Sequence, residues 1–301
     1  MQSHADSHSP SRGLQPSRAS ARPEGRGSGN ARGDLVISEG FETLLRAHGL
    51  TSLDALFACS NGERLDKPGL DSWRQRWRLT LDDHGTPRTF YLKRFLGPPR
   101  WALRAMRRSG SGASSLAGNE WEWAQRLTND GIPCVQAVAF GEELTGSHER
   151  RSAILTAGVP GQSLERWVIQ RPDADRLTIQ RLITATADLI SRLHGRGYVH
   201  RDLYLSHVFY DPAQPIERSL RLIDLQRVIR PRWRFRRWMV KDLAALNFST
   251  PSRLVSRTDR VRWLRRYLGI EKLDASARRL VYRVVGKTQR IAERERAKSH
   301  P

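Results

Sequence analysis

The sequence predicts an α+β fold in two parts, with strands concentrated in the first half of the chain and helices in the second. Runs with strand character, bounded by Gly, Asp and Pro, recur between residues 73 and 156. Beyond the Gly-Val-Pro-Gly turn at 158–161, apolar residues recur at helical spacing instead. Because 38% of the 301 residues are hydrophobic, the chain can supply a sizeable core.

Residues 1–34 differ from the rest of the chain, since they are mainly Ser, Arg, Gly, His and Pro. With almost no large apolar side chains they cannot bury enough surface to offset chain entropy, so we predict a disordered basic tail. The tail also lacks the apolar core of a signal peptide. No apolar run in the sequence approaches the roughly 18–20 residues that span a bilayer. We therefore expect a cytoplasmic protein.

Residues 35–157 are predicted to form the strand-rich part, an antiparallel sheet with one helix set among about five strands. Segments with strand character are 73–81, 89–95, 135–140 and 153–156. The sequence Asp-Asp-His-Gly-Thr-Pro at 82–87 separates the first two and is typical of a hairpin turn. A helix is predicted over 119–128, after a Gly/Ser-rich loop.

Residues 158–301 are predicted to be mainly helical and to end in a strongly basic helix. Helices are expected over 164–170 and 175–194, the second with one apolar face. Short strands are expected at 197–199, 208–210 and 220–223. They bracket a polar turn at 200–207, and helices are expected to resume near Met239.

The formal charge of +21 arises from 52 Lys and Arg against 31 Asp and Glu. Such an excess predicts attraction to polyanions. Nucleic acid, anionic lipid and phosphorylated sugar all qualify, and charge alone does not choose among them, because its long-range part is screened beyond about 10 Å and carries no information on shape. The choice depends on chemical motifs.

Two polar motifs stand at a spacing that indicates phosphoryl transfer. His-Arg-Asp-Leu-Tyr-Leu-Ser-His occupies residues 200–207, and Leu-Ile-Asp-Leu-Gln follows at 222–226. Phosphoryl transfer needs one carboxylate to orient the attacking hydroxyl and another to hold a divalent metal on the phosphates. Asp202 and Asp224 have those places, and the alternative is that both are solvated turn residues.

The first half of the chain offers a cation and a partner for it. Lys93 lies inside a predicted strand between apolar neighbours, where a lysine is unusual unless it is paired. The helix over 119–128 carries two acids, and Glu120 shares its face with apolar residues whereas Glu122 shares its face with polar ones. We therefore predict an ion pair between Lys93 and Glu120, the alternative being surface charges in both cases.

With these motifs the chain resembles the lipopolysaccharide kinase (Kdo/WaaP) family over roughly residues 60–250. The segments that carry the resemblance are Phe-Tyr-Leu-Lys-Arg-Phe at 90–95, Gly-Ile-Pro at 131–133, 200–207, Ile-Asp-Leu-Gln-Arg at 223–227 and Lys-Asp-Leu-Ala-Ala-Leu at 241–246. The resemblance implies a two-lobed protein-kinase-like fold, ATP with Mg²⁺ or Mn²⁺, and a heptose or Kdo hydroxyl of the lipopolysaccharide inner core as acceptor.

By motif match the resemblance also implies roles for single residues. Asp202 is assigned as base, together with His200 and Arg201 of the same loop. Lys93 is assigned to the nucleotide with Glu120 as its partner. Asp224 is assigned to the metal and, with His207, to the nucleotide and metal site.

The chain departs from the general kinase pattern at three places. His207 stands where a metal-binding Asn is usual, and since imidazole is a poorer Mg²⁺ ligand than oxygen, it could instead bond to Asp202 or contact phosphate. Gln226 replaces a glycine, so a flip of that loop is disfavoured. The sequence has no Gly-x-Gly-x-x-Gly motif. Gly62 and Gly69 could therefore belong either to a phosphate-covering loop or to ordinary turns.

The stretch between Asp224 and Asp242 is too short for an activation loop and a peptide-docking segment, so a peptide acceptor is disfavoured. Residues 227–241 hold seven cations, three large aromatics and no acid. Arginines bind phosphate and carboxylate, and aromatic rings stack on sugars. The candidate substrate residues are Arg230, Arg232, Trp233, Arg234, Arg236 and Arg237.

Other interpretations of this basic stretch stay open. It is also compatible with a solvated face or with single-stranded nucleic acid, the latter being disfavoured. Together with the Trp-containing basic run at 100–108, it favours peripheral contact with an anionic inner membrane.

The sequence leaves three hypotheses for function. The first is a kinase for a sugar of an anionic glycolipid, the lipopolysaccharide core. The second is a pseudokinase that binds an anionic partner without turnover, which the substitutions at His207 and Gln226 favour. The third is a kinase for another acceptor, including protein.

Overall fold

The computed structural model describes residues 35–65, 69 and 71–299, so the predicted basic tail over 1–34 lies outside the described residues. In chain order the elements are β1 (Val36–Ile37), α1 (Glu42–Ala47), α2 (Leu53–Ala58), β2 (Glu63–Arg64), β3 (Arg74–Asp83), β4 (Thr86–Leu96), α3 (Arg100–Arg107), α4 (Leu116–Asn129), β5 (Ala137–Thr145), β6 (His148–Ala157), β7 (Gln162–Ser163), α5 (Leu164–Gln170), α6 (Arg176–Gly195), β8 (Val208–Tyr210), β9 (Leu220–Leu222), α7 (Phe235–Ser249), α8 (Arg257–Leu268) and α9 (Ala275–Ser299).

Six strands form an antiparallel sheet in the order β1-β5-β6-β4-β3-β2. The predicted hairpin forms part of this sheet, where β3 and β4 pair from Arg74 with Phe95 to Asp83 with Thr86. His84 and Gly85 make the turn with positive φ angles of 52° and 82°. Two such residues give the twist that matches antiparallel strands.

The sheet has a core on each face. Phe90 and Leu92 of β4 join the core under α1 and α2, with Leu45 and Leu56. Successive side chains of a strand point to opposite faces, so Lys93 lies on the other face, toward α4. That alternation positions the one lysine of β4 against the helix that carries its predicted partner.

Helices of the first part go beyond the predicted one. We did not predict α2, which is only six residues long, or α3, whose sequence is dominated by arginine. In α3 a narrow face of Ala102, Leu103 and Met106 is buried. The helix α4 begins three residues before its predicted start, because Ser115 caps it by accepting a hydrogen bond from the Gly118 N–H.

The second part packs helices around α6, with α7 against α9 and α6 against α8. As predicted, α6 buries one face, including Leu182, Leu189 and Leu193. The strands β7, β8 and β9 form a small antiparallel sheet beside these helices. The strand predicted at 197–199 is wrong, since that segment contributes a single bridge between Val199 and Ile229. Across the described ranges, we find no helix whose length and hydropathy would let it span a membrane.

Candidate active site

A buried carboxylate holds the loop at residues 200–207 in place. Asp242 of α7 is fully buried and accepts hydrogen bonds from the backbone N–H groups of His200 and Arg201, both at 2.7 Å. Arg201 has a φ of 68°, which is costly for a residue with a side chain. Two charge-assisted bonds offset that cost. Asp242 thus fixes the backbone next to Asp202, a role that its motif alone did not reveal.

His200 and Arg201 lie behind this loop. The His200 ring is fully buried, and its Nε2 donates to the carbonyl of Ile223 at 3.0 Å, immediately before Asp224. Burial lowers the pKa of His200, so the ring is neutral. Arg201 is half-buried and its guanidinium lies 4.9 Å from the ring centre of Trp238. These contacts favour a positioning role for both residues, and the catalytic role assigned to them stays a prediction.

Asp224 and Lys93 meet between the two parts of the fold. The Lys93 Nζ donates to Oδ1 of Asp224 at 2.8 Å and to the two Glu120 oxygens at 2.7 and 3.0 Å. The Lys93 cation holds the pKa of Asp224 well below its usual range, against the effect of burial. Burial lowers the pKa of Lys93, but the two carboxylates outweigh it, so the net pKa is raised. Lys93 and Asp224 are therefore both charged at neutral pH.

The structure separates the two acids of α4 in the way that their helix faces indicate. Glu120 has 1% of its side chain exposed and pairs with Lys93. Glu122 is 43% exposed and pairs with Arg126 at 3.2 Å, one turn along the helix. Of these two acids of α4, Glu120 is therefore the one that pairs with Lys93.

His207 faces Asp224. Its Nδ1 donates to the backbone carbonyl of Asp202 at 2.7 Å, which in the neutral ring leaves a lone pair on Nε2. That Nε2 lies 3.9 Å from Oδ2 of Asp224. One cation with ligand distances of about 2.1 Å can bridge such a pair. The arrangement thus fits a divalent ion.

No three His, Cys, Asp or Glu side chains converge as a metal site within the described residues. Mg²⁺ commonly takes one or two protein ligands and completes its shell with phosphate oxygens and water. Asp224 and His207 therefore fit an ion that is shared with a nucleotide.

Gln226, which replaces a glycine of the general pattern, is anchored on both sides. Its side-chain oxygen accepts from Arg74 of β3 at 2.8 Å, and its backbone carbonyl accepts from Asn119 of α4 at 2.9 Å. Asn119 is itself fully buried and accepts from Ser109 at 2.8 Å. We did not predict Arg74 or Asn119 as site residues. For Asn119, the position directly before Glu120 at the start of the predicted helix was a signal that could have indicated a role in the site.

Arg227 is a second residue that we did not assign. Its Nη1 lies 2.9 and 3.0 Å from the two carboxylate oxygens of Asp202. The Asp202 side chain is 22% exposed and that of Arg227 is 52% exposed. The Arg227 guanidinium therefore contacts the candidate base directly, and it is exposed enough to contact a ligand as well.

The six predicted substrate residues do not form one cluster. Arg236 and Arg237 line a groove between α7 and α9, of about 970 Å³. Arg230 lies elsewhere, with its guanidinium 5.4 Å from the ring centre of Tyr198. The remaining three are exposed at the start of α7: Arg232, Trp233 and Arg234.

Gly62 has a structural reason to be glycine. A Cβ atom there would lie 2.6 Å from the Arg78 carbonyl oxygen and 2.5 Å from the Leu79 side chain. The close approach of β2 to β3 therefore requires glycine, which favours the turn interpretation over a phosphate-covering role.

Comparison with known proteins identifies similar chains. The family model for the lipopolysaccharide kinase (Kdo/WaaP) family matches residues 100–267, more than half of the chain. Two curated relatives are each described as lipopolysaccharide core heptose(I) kinase WaaP. The Pseudomonas aeruginosa protein is 34% identical over 159 residues, which cover 50% of this chain and 59% of the relative. The Escherichia coli K12 protein is 31% identical over 194 residues, which cover 60% and 72%.

A solved structure of WaaP in complex with acyl carrier protein is also similar, with a TM-score of 0.58 and 26% sequence identity. The match covers 89% of this chain and 99% of that one. These comparisons confirm the predicted resemblance, the two-lobed kinase-like fold and the class of ATP-dependent phosphotransferase. Membership of a kinase family implies ATP and a divalent metal.

Proposed function

This chain belongs to the lipopolysaccharide kinase (Kdo/WaaP) family, and on that premise we propose that it transfers the γ-phosphate of ATP to a heptose hydroxyl of the lipopolysaccharide inner core. The observation that supports this most directly is the approach of Lys93, Glu120 and Asp224 to one another, with His207 linking Asp224 to the backbone of Asp202. Heptose is favoured over Kdo because both relatives are described as heptose(I) kinases.

Asp202 is the base of the proposed reaction. Its carboxylate accepts a hydrogen bond from the acceptor hydroxyl, orients the oxygen toward the phosphorus and takes the proton as the new O–P bond forms. Arg227 donates to both carboxylate oxygens and fixes their orientation. Its exposed guanidinium also offers a hydrogen-bond donor to the transferring phosphoryl group.

Lys93 is the cation for the nucleotide phosphates, and Glu120 keeps it extended along β4. Asp224 and His207 are the protein groups that hold the metal, which we propose to be Mg²⁺ or Mn²⁺. The ion, when bound, neutralises charge on the β- and γ-phosphate oxygens. Lys93 also donates to Oδ1 of Asp224 and would keep that carboxylate ionised for the metal.

The test is transfer of labelled phosphate from ATP to dephosphorylated lipopolysaccharide core by the wild type and by Asp202→Asn. Since a positioned base contributes about 10²–10⁴-fold, we expect the variant to lose transfer by that factor and to keep its affinity for ATP. Asp188→Asn is the matched control, because Asp188 pairs with Arg266 on an exposed surface and should transfer phosphate normally.

Other outcomes of this assay decide between the remaining hypotheses. Nucleotide binding by the wild type without transfer to any acceptor would support the pseudokinase. Transfer to a protein acceptor but not to the core would support the third hypothesis. The engaged Lys93–Glu120–Asp224 set favours an active enzyme over the pseudokinase.

We further propose an acyl carrier protein as a partner. The similar solved structure is a complex with that protein, and its name states that it carries an acyl group. This chain has a cavity of about 510 Å³ between α5, α6, α7, α8 and α9, lined mainly by leucine and valine. A cavity of that size and polarity suits an apolar chain.

Val281→Trp, at the wall of this cavity, tests the partnership. If the acyl chain enters the cavity, the variant should retain much less acyl carrier protein than the wild type when the two are co-expressed and purified. Equal retention by both proteins would contradict insertion of the chain.

Peripheral contact with an anionic membrane and the division into lobes at residues 35–157 and 158–301 are also proposals. Trp101 and Trp233 are 62% and 83% exposed beside arginines, as in proteins that rest on membrane interfaces. Sedimentation with anionic and neutral vesicles tests the membrane contact. We expect the protein to sediment with the anionic vesicles and not with the neutral ones.

A further inference from the structure

The groove between α7 and α9 is rich in cations, which are seven of its thirteen lining residues. We call it the α7–α9 groove, and its charged lining consists of Arg236, Arg237, Lys241, Arg283, Lys287, Arg290, Arg294 and the single acid Glu293. Positions 283, 287, 290 and 294 follow helical spacing, so they form one face of α9. That face lies opposite the basic start of α7, and the two helices enclose about 970 Å³.

These seven cations share the groove with one acid, Glu293. Within the part of the chain that the structure describes, none of them forms an ion pair. Burial and then the like charges of Arg201, Lys287, Arg227 and Arg237 lower the pKa of Lys241. Burial and three arginines lower the pKa of Lys287 as well. Cations held together at such a cost indicate a site that an anion completes.

The groove continues to the catalytic loop. Trp238 lies between Lys241, whose Nζ is 4.7 Å from the ring centre, and Arg201, whose guanidinium is 4.9 Å from it. Arg201 is the neighbour of Asp202 in the loop. A ligand that reaches Asp202 can therefore extend its anionic groups along the groove.

The shape of the surface favours a discrete ligand over a flat bilayer. The site is a groove between two helices, in which Lys241 and Lys287 are half-buried and the five arginines are exposed, so phosphate or carboxylate groups can be contacted from both helices. Tyr282, 84% exposed at the edge of the groove, offers a ring face that can stack on a sugar. Neither feature is needed for general attraction to a membrane.

We propose that the α7–α9 groove binds phosphate or carboxylate groups carried by sugars of the acceptor, as an anion subsite separate from the phosphoryl-transfer centre. The subsite rests on the proposed function, since it assumes that the acceptor is an anionic glycolipid. It would set the register of the acceptor, so that one of several similar hydroxyls meets Asp202.

The experiment compares two triple variants of α9 that remove the same charge. Arg283→Gln, Lys287→Gln and Arg290→Gln remove cations from the groove. Arg278→Gln, Arg279→Gln and Arg296→Gln remove exposed cations of the same helix that do not line it. The probe is a deacylated inner-core oligosaccharide that carries phosphate and carboxylate groups, titrated calorimetrically without ATP.

We expect the groove variant to bind this oligosaccharide at least about tenfold more weakly and the control variant to bind it like the wild type. In the transfer assay the KM for the oligosaccharide should rise by the same factor in the groove variant, while ATP affinity is retained. The loss should shrink with an oligosaccharide that lacks its anionic groups.

Three results would overturn the subsite. They are an equal loss in both variants, unchanged binding in both, and a loss of binding to anionic phospholipid vesicles with normal binding of the oligosaccharide. The last result would make the groove a membrane contact. Groove-dependent binding without phosphate transfer would instead overturn the proposed function and leave the anion subsite in place.

Discussion

The Asp202 carboxylate is paired with a neighbouring cation, Arg227. Arg227 Nη1 reaches both of its oxygens, so the acceptor hydroxyl must share the carboxylate with a guanidinium. Such sharing restricts the direction from which the hydroxyl can approach. An arginine beside the base can also stabilise charge on the transferring phosphoryl group. Arg227 therefore belongs to the proposed reaction even though it is not part of the 200–207 loop.

Arg227→Gln should lower kcat by about 10²-fold, because it removes charge stabilisation in the transition state. Arg227→Lys should recover part of the loss, since a lysine keeps the charge without the planar donor geometry. ATP affinity should change by less than about twofold, because Lys93 is the proposed cation for bound ATP, whereas Arg227 is proposed to act on the phosphoryl group in the transition state.

Steady-state kinetics with ATP and acceptor varied separately, beside calorimetric ATP binding, measure these effects. Arg218→Gln, an exposed arginine outside the site, is the control and should behave as wild type. An Arg227→Gln enzyme with normal kcat would show that the contact with Asp202 is only structural.

At the scale of single elements, a buried carboxylate of β6 ties the sheet to α4. Glu149 accepts from the Leu116 N–H at the start of the helix at 2.8 Å and from the Ser152 hydroxyl at 2.5 Å. It is only 4% exposed, and burial raises the pKa of Glu149 to about 7. The helix that presents Glu120 and Asn119 is thus anchored by a group that titrates near neutral pH.

The raised pKa makes stability depend on pH. Between about pH 4.5 and 7 the unfolded chain has released the Glu149 proton while the folded protein retains it, so stability falls as pH rises and the loss is complete above pH 7. The contribution amounts to about 3 kcal/mol. Glu149→Gln, which keeps the shape and an acceptor oxygen, should remove this dependence.

Urea unfolding of wild type and Glu149→Gln between pH 4.5 and 8.5 measures the difference. As pH rises, the free energy of unfolding of Glu149→Gln should increase relative to that of the wild type. Glu122→Gln, on the exposed face of α4, should show the same pH dependence as the wild type. Parallel curves for wild type and Glu149→Gln would contradict the coupling.

Elements whose signals are local were predictable from the sequence. The β3–β4 hairpin follows from its turn residues, and the buried face of α6 follows from its leucines. The start of α4 was missed because Ser115 and Gly118 resemble a loop until the cap is seen. The helix α3 was missed because its arginines conceal a three-residue apolar face.

Within the site, predictability follows the same division. Lys93 and Glu120 could be predicted from the sequence, because the spacing of the apolar residues around each of them indicates that it is buried. The partnership of Arg227 with Asp202 joins residues 25 positions apart, and that of Asp242 with His200 joins residues 42 apart. Such contacts depend on how the elements pack, which spacing alone does not specify.

At the scale of the whole molecule, the loop that carries Asp224, the proposed metal ligand, is held by side chains from the first part of the chain. Gln226 accepts from Arg74 in the sheet, and its neighbour Asp224 accepts from Lys93 of the adjacent strand. Asp224 itself has a left-handed backbone with a φ of 56°, which such contacts must maintain. Binding of a nucleotide between the two parts therefore draws on the geometry that Gln226 helps to keep.

Gln226→Ala removes the bond from Arg74 and leaves that half-buried guanidinium short of an acceptor. We expect a loss of about 1–2 kcal/mol in the free energy of unfolding. Because nucleotide binding draws on the geometry that Gln226 helps to keep, ATP with Mg²⁺ should raise the Tm of the variant by less than it raises that of the wild type. Differential scanning calorimetry with and without nucleotide measures both, with exposed Gln214→Ala as control. An equal nucleotide-induced shift in Gln226→Ala and wild type would mean that the loop keeps its geometry without Arg74, and that the backbone bond from Asn119 suffices to join the two parts.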